Sequence, residues 1–459
     1  MKGEDNGNEN ENILINKDNI EQLETDKIEE KYDIKEKIFY ILKGISSIIS
    51  SIIHLFGYSS IFNLGYTTIY LISFRRHYNQ NIDFSYNYCF IPLMKLSFNF
   101  TAPIGGYIED KLGEKKAIVL SNSILCLSFI IMYFSRSIYN YFLMVINGFG
   151  IAIGINITRK NACSFFMNKK ALICGIINLF SYLLCLLLII YNEGFIFNYK
   201  IEYFISKIIY FKEDVFINYQ KLIIFKIVIL LISCLGALLF YFKNNSEETS
   251  KFGFNENKNE EGNKTENNEI EKTKKKMPKN IKIKKALFDK RTIKIIIMVF
   301  FFFPTINLIS NFLRMDPKLY FIYGALYNAA GFISSIFFSL IGDFIQFRTL
   351  FVLLSAISCI SSFLFINYFG EDFLLFLEAI IISFIYNGFN IIFDSHLMKV
   401  YGMENFIYLW GYARASAGIS QIFGIILNFT LETSSYNYIK IYYITLPFSL
   451  ISLEFGCSE

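Results

Sequence analysis

Apolar residues along the chain gather into runs of about 20, separated by short polar turns, and each run is long enough for one helix to cross roughly 30 Å of hydrocarbon. The runs fall at about 41–74, 86–108, 117–135, 139–158, 171–191 and 222–242, and again at about 293–313, 319–341, 349–368, 372–397, 404–428 and 437–453. This pattern predicts an all-α polytopic membrane protein with twelve transmembrane helices. The first run exceeds one upright span and carries Lys43 and His54, which predicts an interfacial turn ahead of the span itself. Residues 1–37 are acidic and Asn-rich, do not look like a cleavable signal peptide, and read as a disordered tail. Residues 243–292, rich in Asn, Glu and Lys, have too little apolar surface to fold alone and read as a disordered linker. The predicted plan is a tail at 1–37, a six-helix bundle at 38–242, the linker at 243–292, a second six-helix bundle at 293–454 and a short tail at 455–459.

Such a plan suggests duplicated halves, and transporters built this way place their sites between the repeats near mid-membrane. Asn147-Gly148-Phe149-Gly150 in the fourth run is echoed by Asn387-Gly388-Phe389-Asn390 in the tenth, and Asp110 after the second run by Asp343 after the eighth.

Composition agrees with a lipid setting. Hydrophobic residues make up 54% of the chain and charged ones only 18%, below the roughly quarter usual in soluble domains, and the mean hydropathy is +0.40. The net charge of +5 is spread over loops with no basic helix or aromatic platform, so no nucleic-acid partner is expected. Lys111, Lys115, Lys116, Arg159, Lys160, Lys169, Lys170 and the basic end of the linker would share one side, which places both termini in the cytoplasm by the positive-inside rule, although Arg75 and Arg76 stand against it. The eight cysteines lie mostly inside apolar runs without metal-ligand spacing and read as small core residues. With three histidines, and no zinc helix, nucleophile elbow or phosphate-cradling loop, an enzyme is not expected, and neither is a metal or cofactor. No ring of charge or filter-like glycine run points to a channel.

The loop after the second run reads Gly106-Tyr107-Ile108-Glu109-Asp110-Lys111-Leu112-Gly113-Glu114-Lys115-Lys116. It resembles the signature loop of the major facilitator superfamily, matching at Gly106, Asp110, Lys111, Gly113 and Lys115. The second-half loop is a decayed version that keeps Asp343 and Arg348. The resemblance implies the major facilitator fold: two pseudo-symmetric six-helix bundles and alternating access, with these residues as a conformational switch. In that switch Gly106 lets two helices approach closely and Asp110 faces the positive end of a neighbouring helix. The stretch from Gly148 through Phe165-Phe166 and Lys169-Lys170 to Gly175, with Gly388 through Gly402, Gly411, Arg414, Gly418 and Gly424, is similar to the oxalate/formate antiporter and monocarboxylate transporter branch.

That likeness implies a small organic anion as substrate, with Arg414 in the eleventh run as its ligand among small neighbours. The basic residue those relatives carry in the eighth span is missing here, where Gly331 to Ile336 are uncharged, and this argues against a dicarboxylate. An amino acid or other neutral or zwitterionic solute is the alternative, and a receptor-like homologue that transports nothing is a further one. Lys95 either lines the cavity or snorkels to the interface. His54 either contacts substrate or packs between helices. Asn63, Asn156, Asn307 and Asn387 lie on the runs that line the cavity in the superfamily, where an amide can orient substrate or satisfy helix backbone. Glu378 is a proton-coupling carboxylate or a solvated residue, whereas Asp394 and His396 look like gate or boundary residues. The partners implied are the lipid bilayer and a small-molecule substrate, moved by uniport, with protons or against an exchanged anion, by a monomer.

Overall fold

The computed structural model describes residues 8–62, 90–134, 140–191, 213–244, 286–312, 320–368, 372–431 and 438–457. The first half contains α1 (Asn8–Phe62), α2 (Phe90–Leu112), α3 (Glu114–Phe134), α4 (Asn140–Gly154), α5 (Ile157–Phe165), α6 (Lys170–Tyr191) and α7 (Glu213–Leu239). The second contains α8 (Lys290–Phe312), α9 (Tyr320–Ile341), α10 (Phe347–Tyr368), α11 (Asp372–Leu431) and α12 (Tyr438–Cys457). Each of the twelve apolar runs holds helix among the described residues. Seven stretches are long and apolar enough to cross a membrane, one of them the 44-residue Phe376–Ile419. Large apolar side chains such as Leu127, Phe142, Leu187, Leu235, Ile333 and Ile360 are exposed around the outside, as a lipid-facing surface requires.

Several boundaries differ from the sequence expectation. Helix α1 begins at Asn8, covering most of the tail read as disordered and leaving no interfacial turn before the first span. Too few apolar residues exclude a packed core there, but the Glu and Lys of residues 21–37 are good helix formers and extend the span's helix outward. Helix α12 likewise runs to Cys457, into the short tail. Most of the linker, 245–285, lies outside the described residues; its end packs, with Ala286 buried and its carbonyl accepting the Thr292 hydroxyl at 2.6 Å. The fourth run does not stop at 158: after a break at Ile155 and Asn156 it continues as α5 to Phe165.

Helix α11 joins the tenth and eleventh runs, and Gly402 at φ +79° turns the chain between its two arms. That left-handed backbone suits glycine, which lacks the Cβ that would clash. Gly113 at φ +82° ends α2 in the same way, its amide donating to the Glu109 carbonyl at 2.8 Å.

Two seams join the halves. Helix α2 lies along the second arm of α11, where a side chain added at Gly411 would sit 2.7 Å from the backbone of Ala102 and Pro103. Helix α6 lies along α9, where one added at Gly175 would come within 2.1 Å of Ser339. Lipid offers helices no hydrophobic drive to associate, so close backbone approach and hydrogen bonds hold them instead. Hydroxyl pairs do the same inside the second half: Ser355 with Ser452 at 3.1 Å, Ser358 with Ser449 at 3.1 Å and Ser362 with Thr445 at 3.4 Å link α10 to α12.

Candidate functional site

Between the halves lies a cavity of about 170 Å³. Of the residues singled out from sequence, Lys95, Asn307, Asn387 and Arg414 line it. The Arg414 guanidinium lies 4.9 Å from the Phe303 ring centre and 5.0 Å from that of Trp410, a sandwich that fixes its plane. One of its nitrogens donates to the Asn390 amide oxygen, while Nε has no hydrogen-bond partner among the described residues. Arg414 is only 5% exposed, and the rings and amide that touch it are neutral side chains.

Arg159 also lines the cavity and is paired with Asp394, which joins α5 of one half to α11 of the other. The second Asp394 oxygen accepts the Trp410 indole N–H at 2.9 Å. Arg159 also donates to Asn178 at 2.7 Å, Asn178 donates to Asn387 at 3.2 Å, and Asn387 donates to the Gly331 carbonyl at 2.7 Å and to Ser335 at 2.6 Å. One polar chain therefore runs from α5 through α6 to α11 and α9. Removing a charge from water is costly unless it is paired and hydrogen-bonded, and here both oxygens of the buried carboxylate are engaged.

Other expectations fall elsewhere. His54 is fully buried inside the first half, with Nδ1 3.2 Å from the Thr158 hydroxyl and Nε2 3.1 Å from the Asn122 amide, and it does not line the cavity. Asn156 sits at the break before α5, buried and also off the cavity. For His54, the contacts with Thr158 and Asn122 show the ring turned into the first half. Asn63 lies outside the described residues. Glu378 is not solvated: it is buried and accepts the Ser361 hydroxyl at 2.8 Å. His396 packs flat on Phe347 with ring centres 4.3 Å apart.

No protein-family model matches the sequence, and no curated relative does. Solved structures match over nearly the whole chain. The fucose transporter FucP in the outward conformation aligns with a TM-score of 0.59 at 13% identity, covering 90% of this chain and 97% of that one. The human organic anion transporter MFSD10 gives 0.61 at 10% identity, over 91% and 99%. The proton:xylose symporter XylE bound to 6-bromo-6-deoxy-D-glucose gives 0.61 at 11%, over 91% and 94%. The chain has the major facilitator fold.

In this instance of the major facilitator fold, the two loop aspartates meet the opposite half through different partners. Asp110 does not face a helix end; it accepts the Tyr408 hydroxyl at 2.6 Å, and the Tyr408 ring covers Gly106 at 3.1 Å from where a side chain would start. Asp343 takes the role expected of Asp110: its two oxygens accept the Ala171 and Leu172 amides at 3.0 Å each, capping α6 of the other half, and Lys399 pairs with it at 2.8 Å. The Phe166–Lys169 turn starts α6 abruptly and leaves those amides facing Asp343. Around these contacts Lys111 lies over the Tyr107 ring at 5.8 Å and Lys115 over Tyr241 at 5.6 Å, while Arg348 donates to the Gly456 carbonyl at 3.0 Å. Lys170 donates to the Met398 carbonyl at 2.8 Å, a further tie across the halves at this end.

The residues that sequence reasoning passed over are Arg159, Asn178, Asn390 and Trp410. Arg159 was assigned to a loop because the fourth run was ended at 158; the apolar positions continuing to Phe165 are the signal that a helix carries it inward.

Proposed function

We propose that the chain carries a small organic anion across a membrane by alternating access of its two halves. The observation that supports this best is the charge of the central cavity: Lys95, Arg159 and Arg414 line it, and among the described residues no acidic side chain does. Asp394, behind the lining, balances one of these cations. Arg414 is the substrate ligand in this reading, offering a planar, fixed guanidinium to one carboxylate. The uncharged eighth span, Gly331 to Ile336, favours one carboxylate over two. In this reading the cytoplasm lies on the side of Asp110 and Asp343, where Arg159–Asp394, Lys170–Met398, Tyr408–Asp110 and Asp343 tie the halves together. Binding energy needs only to differ by a few kcal/mol between the two poses to shift their populations.

A neutral or zwitterionic solute is the second reading, favoured by the amides of Asn99, Asn178, Asn307, Asn328, Asn387 and Asn390 around the same cavity. Reconstituted protein tested with labelled lactate, formate, oxalate and amino acids separates the two. Saturable uptake of lactate or formate, stimulated by unlabelled anion on the far side, is the expected result, and uptake of amino acids alone overturns the anion reading.

A further inference from the structure

Away from the central cavity, the end of the second half that carries the α9–α10 turn holds a larger cavity of about 880 Å³. Its wall is formed by Lys290, Arg291 and Lys294 of α8, Arg348 of α10 and Lys399 of α11, with Asp343 the one carboxylate among the described lining residues. That carboxylate is already engaged by the Ala171 and Leu172 amides and by Lys399. Arg348 is held by the carbonyls of Gly456 and Cys457, which position the guanidinium without neutralising it.

Three of the cations stand in the first turns of α8, at the positive end of its dipole, where basic residues are disfavoured, and Asp289 just ahead of them accepts the Arg291 amide at 3.5 Å. A bound anion relieves that repulsion. The Ser395 hydroxyl, on a residue 1% exposed, lines the same cavity and has no hydrogen-bond partner among the described residues. Cations converging from α8, α10 and α11 suit a group with more than one negative charge and several acceptor oxygens.

We propose that this cavity binds a multiply charged phosphate group, carried by a lipid headgroup or by a soluble phosphate ester. Exposed Phe344 and Ile345 form an apolar edge beside it, compatible with a headgroup arriving from the bilayer surface. Lys399 also holds Asp343, so a phosphate bound there competes for the contact that caps α6 and reaches the seam between the halves.

The test is titration of the purified full chain with soluble inositol trisphosphate and with ATP, alongside nanodiscs of phosphatidylcholine with or without phosphatidylinositol bisphosphate, reading bound label and thermal midpoint. The comparison variants are Lys290→Ser/Arg291→Ser/Lys294→Ser and the charge-matched Lys116→Ser/Lys169→Ser/Lys243→Ser, all at exposed positions. Saturable binding of a soluble probe that weakens at least about ten-fold in the first variant and not in the second supports the site. A midpoint shift seen only with the phosphoinositide discs, and lost only in the first variant, supports it with a lipid as the source. Equal losses in both variants, or no saturable response to any probe, overturn it.

Discussion

Replacing Asp394 with asparagine tests the tie between the halves at its most buried point. The amide oxygen of Asp394→Asn still accepts the Trp410 indole N–H, but the charge facing Arg159 is lost. The side chains of Arg159 and Asp394 are 8% and 1% exposed, so the guanidinium left behind has little water to turn to. Removing one partner of such a buried pair costs roughly 3–5 kcal/mol. Arg159 belongs to α5 and Asp394 to α11, so this cost falls on the pose in which the halves meet here; the pose that parts them lets water reach Arg159. If about 1.4 kcal/mol of it is specific to the closed pose, the ratio of the two poses shifts ten-fold. Hydrogen–deuterium exchange on the full chain reads the shift directly: the amides of 157–178 and 394–411 exchange faster in the variant, while those of α10 and α12 do not. The charge-swapped pair Arg159→Asp/Asp394→Arg recovers part of the protection, which a general loss of folding does not allow. Unchanged exchange in Asp394→Asn refutes the reasoning that the pair stabilises one pose.

Asp343→Asn weakens two charge-assisted amide contacts and the Lys399 pair, about 1.5–3 kcal/mol in all. Asp110→Asn keeps an acceptor for Tyr408 and costs under about 1 kcal/mol, so the second-half variant has the lower thermal midpoint; the reverse order contradicts the geometry. Gly113→Ala forces an L side chain into the left-handed region, with a loss of about 1–2 kcal/mol in the midpoint comparison. His54→Gln lowers the midpoint through its contacts with Thr158 and Asn122 but leaves substrate affinity in uptake assays unchanged; a clear rise in KM places His54 in the transport path after all.

The twelve runs and the signature loop were legible because lipid imposes a long apolar helix wherever the chain crosses and polar punctuation wherever it turns. Gly113 was named only as a position of the loop motif; the left-handed turn it makes at the end of α2 is a structural finding. Which face of each span looks inward was not. A helix apolar all round has no polar stripe to orient it, so nothing in the sequence turned His54 toward Asn122 or Asn387 toward the cavity. Arg159 escaped, and Asp394 was read only as a gate or boundary residue, because each stands near a run's end, where an inner-loop charge and a buried charge look the same until the partner is known. The sequence placed a helix-end contact at Asp110, the better-preserved loop; in the conformation described Asp343 makes one, because the spatial neighbour decides. Tyr408 occupies the place beside Asp110, and the bare start of α6 lies beside Asp343.

The central claim is that the cationic cavity between the halves holds an organic anion on Arg414. The most direct measurement is the concentration dependence of labelled monocarboxylate uptake in reconstituted wild type, Arg414→Lys and Arg414→Ala. The account predicts a KM about 10–100-fold higher for Arg414→Ala, with Arg414→Lys in between because it keeps the charge but loses the bidentate plane. An Arg414→Ala protein that takes up the anion with unaltered KM contradicts it.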